Sequence, residues 1–79
     1  MPKLCRISGR KLIKILLKEG FCELRQKGSH VRLAKTVENH TYFLTVPLHS
    51  ELDRGTLSEI ISILEKSLTE ENIKKLFYK

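Results

Sequence analysis

Tryptophan is absent from the sequence, and there are only two cysteines, three histidines and two prolines among its 79 residues. No long apolar run exists either. The longest stretch, Leu12 and Ile13 followed after Lys14 by Ile15 to Leu17, falls far short of the ~20 residues that cross a bilayer, so no membrane association is expected. Cys5 and Cys22 have no Cys-x-x-Cys spacing and follow no secretory leader pattern. That predicts small buried or half-buried thiols in a cytoplasmic protein, rather than a disulfide framework or a zinc knuckle. His30, His40 and His49 lie ten and nine residues apart, which matches no dense ligand motif, and no structural or catalytic metal is expected. Repeats, linkers and low-complexity segments are missing as well. A chain this short has room for one modest core, so residues 1–79 read as a single domain.

What is present is the composition of a globular domain, 41% apolar and 30% charged. Lys and Arg number 15 against 9 Asp and Glu, and the excess is uneven: 11 basic and 5 acidic residues from Met1 to Arg54, then four of each from Gly55 to Lys79. A positive field of that kind attracts a nucleic acid or an acidic protein, and the competing reading is a solubilising surface.

Ser8 as N-cap, the spacing of Leu12, Ile13, Leu16 and Leu17, and Gly20 as terminator predict a helix over Gly9 to Glu19. Its other side carries Arg10, Lys11, Lys14 and Lys18, a solvated stripe. Phe21 to Gln26 and His30 to Lys35 alternate as two short strands joined by a tight hairpin at Lys27, Gly28 and Ser29. Val31 and Leu33 then face the helices, which sends His30 and Arg32 to the opposite face or the rim. Glu38, Asn39 and His40 turn the chain into a third strand, Thr41 to Val46, which Pro47 stops. Phe21, Tyr42 and Phe43 lie near the sheet and are expected to pack in the core, so weak sequence selectivity toward single-stranded bases follows. Thr56 and Glu59 have capping-box spacing ahead of a second helix with Leu57, Ile60, Ile61, Leu64 and Leu68 on one stripe. Thr69 caps a last short helix with Ile73, Leu76 and Phe77 on its packing edge. The fold class is α+β in α-β-β-β-α order, a three-stranded antiparallel sheet with helices on one face and a short C-terminal helix.

Few residues can do chemistry. Ser29 adjoins His30, but neighbours in extended chain project to opposite sides, so a serine nucleophile activated by that ring is disfavoured. RNA cleavage avoids the obstacle, because the ribose 2′-hydroxyl next to the scissile phosphate is itself the nucleophile. One positioned imidazole, whose ordinary pKa is ~6.5, can act as its general base for a gain of ~100 to 10,000-fold. The run Arg25, Gln26, Lys27, Gly28, Ser29, His30, Val31, Arg32 suits that chemistry, because Gly28 admits a phosphate close to backbone and the cations neutralise it. The competing reading is an ordinary Gly-Ser hairpin turn.

Gly20-Phe21, Arg25 to His30, Val46-Pro47-Leu48-His49, and Gly55-Thr56-Leu57 with Ile60 or Ile61 together resemble the pattern of the HicA family of toxin mRNA interferases, over Ser8 to about Leu68. The resemblance implies a double-stranded-RNA-binding-domain-like fold, ribonuclease activity without a metal or other cofactor, and a catalytic histidine at His30. It also implies a HicB-like antitoxin partner that covers the site. The family's Pro-x-His histidine matches His49, as substrate contact or second proton carrier. RNA contacts are expected from Arg25, Lys27, Gly28, Ser29, Arg32 and His49. Two alternatives use the same basic surface: a non-catalytic RNA-binding module, and a protein-interaction subunit meeting an acidic partner.

Overall fold

Ser8 has extended backbone and its hydroxyl accepts the Lys11 N–H at 3.2 Å, so the first helix opens on a serine cap. The computed structural model, which describes residues 6–67 together with Ile73 and Lys75, places this helix, α1, at Gly9–Lys18. Gly20 takes φ +98° beyond its end. The Phe21 N–H donates to the Leu16 carbonyl at 2.9 Å and the Gly20 N–H to that of Leu17 at 3.3 Å, the paired bonds of a Schellman end. The ammonium of Lys35 adds a third tie, donating to the Glu19 carbonyl at 2.7 Å where the helix dipole is negative.

Strands β1 (Cys22–Lys27), β2 (His30–Val37) and β3 (His40–Pro47) follow, then helix α2 (Arg54–Ser67). The sheet is antiparallel in the order β1-β2-β3. Both connections are two-residue turns, Gly28-Ser29 and Glu38-Asn39, whose first residues have φ +59° and +58°, the sign that a type II′ hairpin turn requires there. Val31, Leu33, Leu44 and Val46 point to one face and bury against Leu12 and Leu16 of α1 and Leu57, Ile60, Ile61 and Leu64 of α2. The expected element order and one-sided helix packing are therefore observed. Among the described residues no helix is long and apolar enough to cross a membrane. The terminal helix expected from Thr69 lies outside the described residues, apart from the buried Ile73 and the exposed Lys75.

Several local expectations are corrected. Helix α2 is capped by Asp53 and not by Thr56: the Asp53 carboxylate oxygens accept the Thr56 amide at 3.1 Å and the Thr56 hydroxyl at 2.7 Å. A carboxylate outcompetes a hydroxyl here because it accepts both donors and carries the charge that a helix N-terminus favours. Leu17 is 46% exposed, since a helix packed on one face of a sheet buries only a narrow stripe of its own surface. Cys22 is exposed, as is every residue of the edge strand β1, and a β-bulge decides which face it joins. Pairing runs from Lys27↔His30 through Arg25↔Arg32, then resumes at Glu23↔Leu33, so Leu24 is left out of the ladder. Counted back from the turn, strict alternation would put Cys22 on the helix side. The extra residue reverses that, sending Cys22 to the open face beside Ala34 and Glu23 to the helix side. Phe43 is likewise outside the core, 48% exposed on the open face, as the neighbour in sequence of the buried Leu44.

Backbones meet closely at one point. Gly9 is buried, its N–H donates to the His49 carbonyl at 3.0 Å, and a methyl group there would overlap the Pro47 carbonyl. Only glycine lets α1 start against the end of β3.

Candidate functional site on the open sheet face

The face of the sheet away from the helices is built in rows, because residues directly opposite one another in a ladder point the same way. Lys27, His30 and Pro47 form the row next to the first turn, Arg25, Arg32 and Thr45 the second, and Cys22, Ala34 and Phe43 the third. Arg25, Lys27, His30, Arg32 and Thr45 together line a shallow hollow of about 120 Å³, with no acidic residue in its wall. The bulge at Leu24 contributes to that, since it removes Glu23, the only carboxylate of β1, from this face.

The His30 end of the hollow is held by its turn. The Gln26 side-chain amide donates to the Gly28 carbonyl at 3.0 Å, and the Leu48 N–H donates to the Ser29 carbonyl at 2.7 Å. These bonds tie the hairpin to its own first strand and to the exit of β3, so the start of β2 is anchored from both sides. The imidazole itself is exposed. Gly28 has open space where a side chain would be. Arg32 is oriented by Thr45, whose hydroxyl accepts from Nη1 at 3.4 Å, and by Phe43, whose ring centroid lies 5.0 Å from the guanidinium carbon. A solvent-open concavity with three cations around one imidazole suits a phosphodiester: the cations neutralise phosphate and the ring can move a proton.

Of the residues picked out in the sequence, Arg25, Lys27, His30 and Arg32 come together, and Gly28 and Ser29 form the adjoining turn. His49 does not line the hollow; it is exposed on the loop after β3, and its backbone accepts from Gly9. Thr45, which the sequence reading passes over, and Phe43, which it expects in the core, both belong to the open face. The signal for both is the two-residue period of β3, in which the apolar pair Leu44 and Val46 forces Thr45 and Phe43 outward. A larger groove of about 350 Å³ on the helix side is lined by Arg10, Ile13, Lys14, Glu23 and Gln26, among others, and contains no histidine. Among the described residues, no three of His, Cys, Asp and Glu converge as a metal-binding group would. The carboxyl of Asp53, held below its ordinary range by the Thr56 hydroxyl and then by the Thr56 amide, is a helix cap and not part of the hollow.

No curated protein and no solved structure matches the chain. A family model described as HicA toxin of bacterial toxin-antitoxin matches residues 9–66. That span begins with the first residue of α1, ends one residue before the end of α2, and includes every residue that lines the hollow. The chain therefore belongs to the HicA toxin family, the toxin component of bacterial toxin-antitoxin systems.

Proposed function

We propose that this toxin is a metal-independent endoribonuclease whose catalytic base is His30. The observation that carries the reading is the placement of one exposed imidazole among Arg25, Lys27 and Arg32 on a face without acidic neighbours in the hollow. In this mechanism Lys27 and Arg25 hold the scissile phosphate, with Arg32 beside them, and His30 takes the proton from the adjacent ribose 2′-hydroxyl. The 2′-oxygen attacks phosphorus and the bond to the 5′-oxygen breaks, with the leaving oxygen protonated from the solvent that reaches the open hollow. The products carry a 2′,3′-cyclic phosphate and a 5′-hydroxyl. Gly28 and Ser29 present backbone to the phosphate chain. His49, whose ring lies outside the hollow, is a substrate contact rather than a second proton carrier.

As a HicA-family toxin the chain has an antitoxin for a partner. A HicB-like protein that covers the cationic hollow would silence cleavage by excluding RNA. The deciding experiment incubates the purified chain with RNA in EDTA and analyses the ends. Expected are cyclic phosphate termini, and a loss of ~100 to 10,000-fold in cleavage rate for His30→Ala with RNA binding retained within a few fold. Cleavage by the alanine variant would remove His30 from the reaction. A wild-type chain that binds RNA without ever shortening it would instead be a binding module.

A further inference from the structure

Phe43 has no packing role that accounts for its position. Its ring is 48% exposed, and its partner across the ladder is Ala34, with Cys22 completing the row. Neither neighbour is large enough to cover a phenyl ring. Among the described residues the guanidinium of Arg32 lies over it, 5.0 Å from the centroid, and the same arginine lines the hollow that holds His30. A planar cation beside an exposed ring is what an unstacked nucleobase recognises, since bases stack on both aromatic side chains and arginine planes.

We propose that Arg32 and Phe43 form a stacking platform for an unpaired base of single-stranded RNA, from a nucleotide flanking the one cleaved. The inference rests on the nuclease reading for its second half only. Strand geometry supports the flanking position. Rows on one face advance about 6.5 Å for every two residues, so the Phe43 row stands roughly 13 Å from the His30 row. A nucleotide whose 2′-hydroxyl meets His30 therefore cannot place its own base on Phe43, and a neighbour does. Duplex RNA keeps its base faces inside the helix and cannot use the platform, which makes single strands the preferred substrate. Because every base has a π-face, the contact tolerates sequence. The occupant is taken as RNA rather than a protein because the face next to the ring carries Arg25, Lys27 and Arg32 and no acidic residue lines the hollow, a match for a continuous polyanion.

The test uses the full chain and a fluorescently labelled 2′-O-methyl oligoadenylate, which has no free 2′-hydroxyl and so reports binding whether or not the chain is a nuclease. Phe43→Ala is expected to weaken binding roughly 5- to 100-fold, with a much smaller loss of affinity for an RNA duplex, which cannot use the ring face, and a fall of no more than a few degrees in the thermal midpoint. Phe43→Trp should retain binding. The natural chain has no tryptophan, so the indole emission of that variant comes from position 43 alone and should be quenched by the oligonucleotide. Unchanged oligonucleotide affinity in Phe43→Ala, an equal loss for duplex RNA, or indifferent indole emission would each overturn the platform. So would a Phe43→Ala chain that loses only its antitoxin, which would assign the ring to a protein partner. If the binding results hold and the wild type never cleaves RNA, the platform stands and the nuclease reading falls.

Discussion

Lys27 and His30 face each other as the last pair of the β1–β2 ladder, separated only by the Gly28-Ser29 turn. Side chains in such a cross-strand pair start about 5 Å apart and leave the sheet on the same side. A phosphate held by the ammonium would thereby lie beside the imidazole, and the two-residue turn, tied down by the Gln26 side chain and the Leu48 N–H, limits how far the pair can drift apart.

Lys27 should act as a phosphate contact. Each neutralised phosphate contributes about 0.7 to the slope of log affinity against log salt for a single strand. Lys27→Ala should flatten that slope by about this amount, measured with an uncleavable oligonucleotide, and lower kcat/KM for RNA about 10-fold or more. Lys27→Arg should restore both. An unchanged slope in the alanine variant would remove Lys27 from the phosphate path.

How much of this could be read from the residues alone depends on the strand. In β2, the apolar Val31 and Leu33 declare which face meets the helices, so the outward placement of His30 and Arg32 follows from a period of two. The Gly28-Ser29 turn is equally legible, since glycine supplies the positive φ. In β1, by contrast, Cys22, Glu23, Leu24 and Arg25 give no periodic sign of an extra residue. The bulge at Leu24 forms because both ends of the strand are pinned: the turn fixes Lys27, and the Schellman end of α1 fixes the approach to Cys22. That is a tertiary constraint, and it is why the placement of Cys22 on the open face and the removal of Glu23 from it could not be anticipated. The cap at Asp53 was obscured for a different reason, because Thr56 and Glu59 offer a competing local pattern of the same kind.

Acid should weaken the start of α2. The Thr56 hydroxyl and amide hold the Asp53 carboxyl below its ordinary value of 3.8, so the folded state favours the ionised form. Stabilisation from a depressed carboxyl pKa is fully present above the unfolded value and is lost as pH falls through the folded value. Thermal midpoints of the wild type and Asp53→Ala should differ near neutrality and approach each other in acid, below that ordinary value. A gap that stayed constant across the titration would mean that the charge of Asp53 adds nothing.

Glu38 holds φ +58° in the second turn, a conformation that costs a residue with a side chain roughly 1–2 kcal/mol relative to glycine. Part of that gain is offset by the larger entropy glycine loses on folding. Glu38→Gly should therefore raise stability by about 0.5–1 kcal/mol in chemical denaturation, with cleavage unaffected because the turn lies at the opposite end of β2 from His30.

Gly9→Ala tests the contact that seats α1 against the sheet. On helix propensity alone, alanine in place of glycine stabilises a helix by about 1 kcal/mol. Here the added methyl would overlap the Pro47 carbonyl and lie 3.0 Å from the Pro47 carbonyl carbon and 3.1 Å from the Leu48 Cα, all backbone atoms that no rotamer change can move. Overpacking of this kind typically costs about 1–3 kcal/mol, which exceeds the propensity gain through most of that range, so a net destabilisation is expected in denaturant titration. The displacement would also carry Leu48, whose N–H holds the Ser29 carbonyl behind the hairpin that presents His30. Cleavage should consequently fall along with stability, although position 9 is not part of the hollow. A Gly9→Ala chain more stable than the wild type would show that α1 and the end of β3 are not in contact as described.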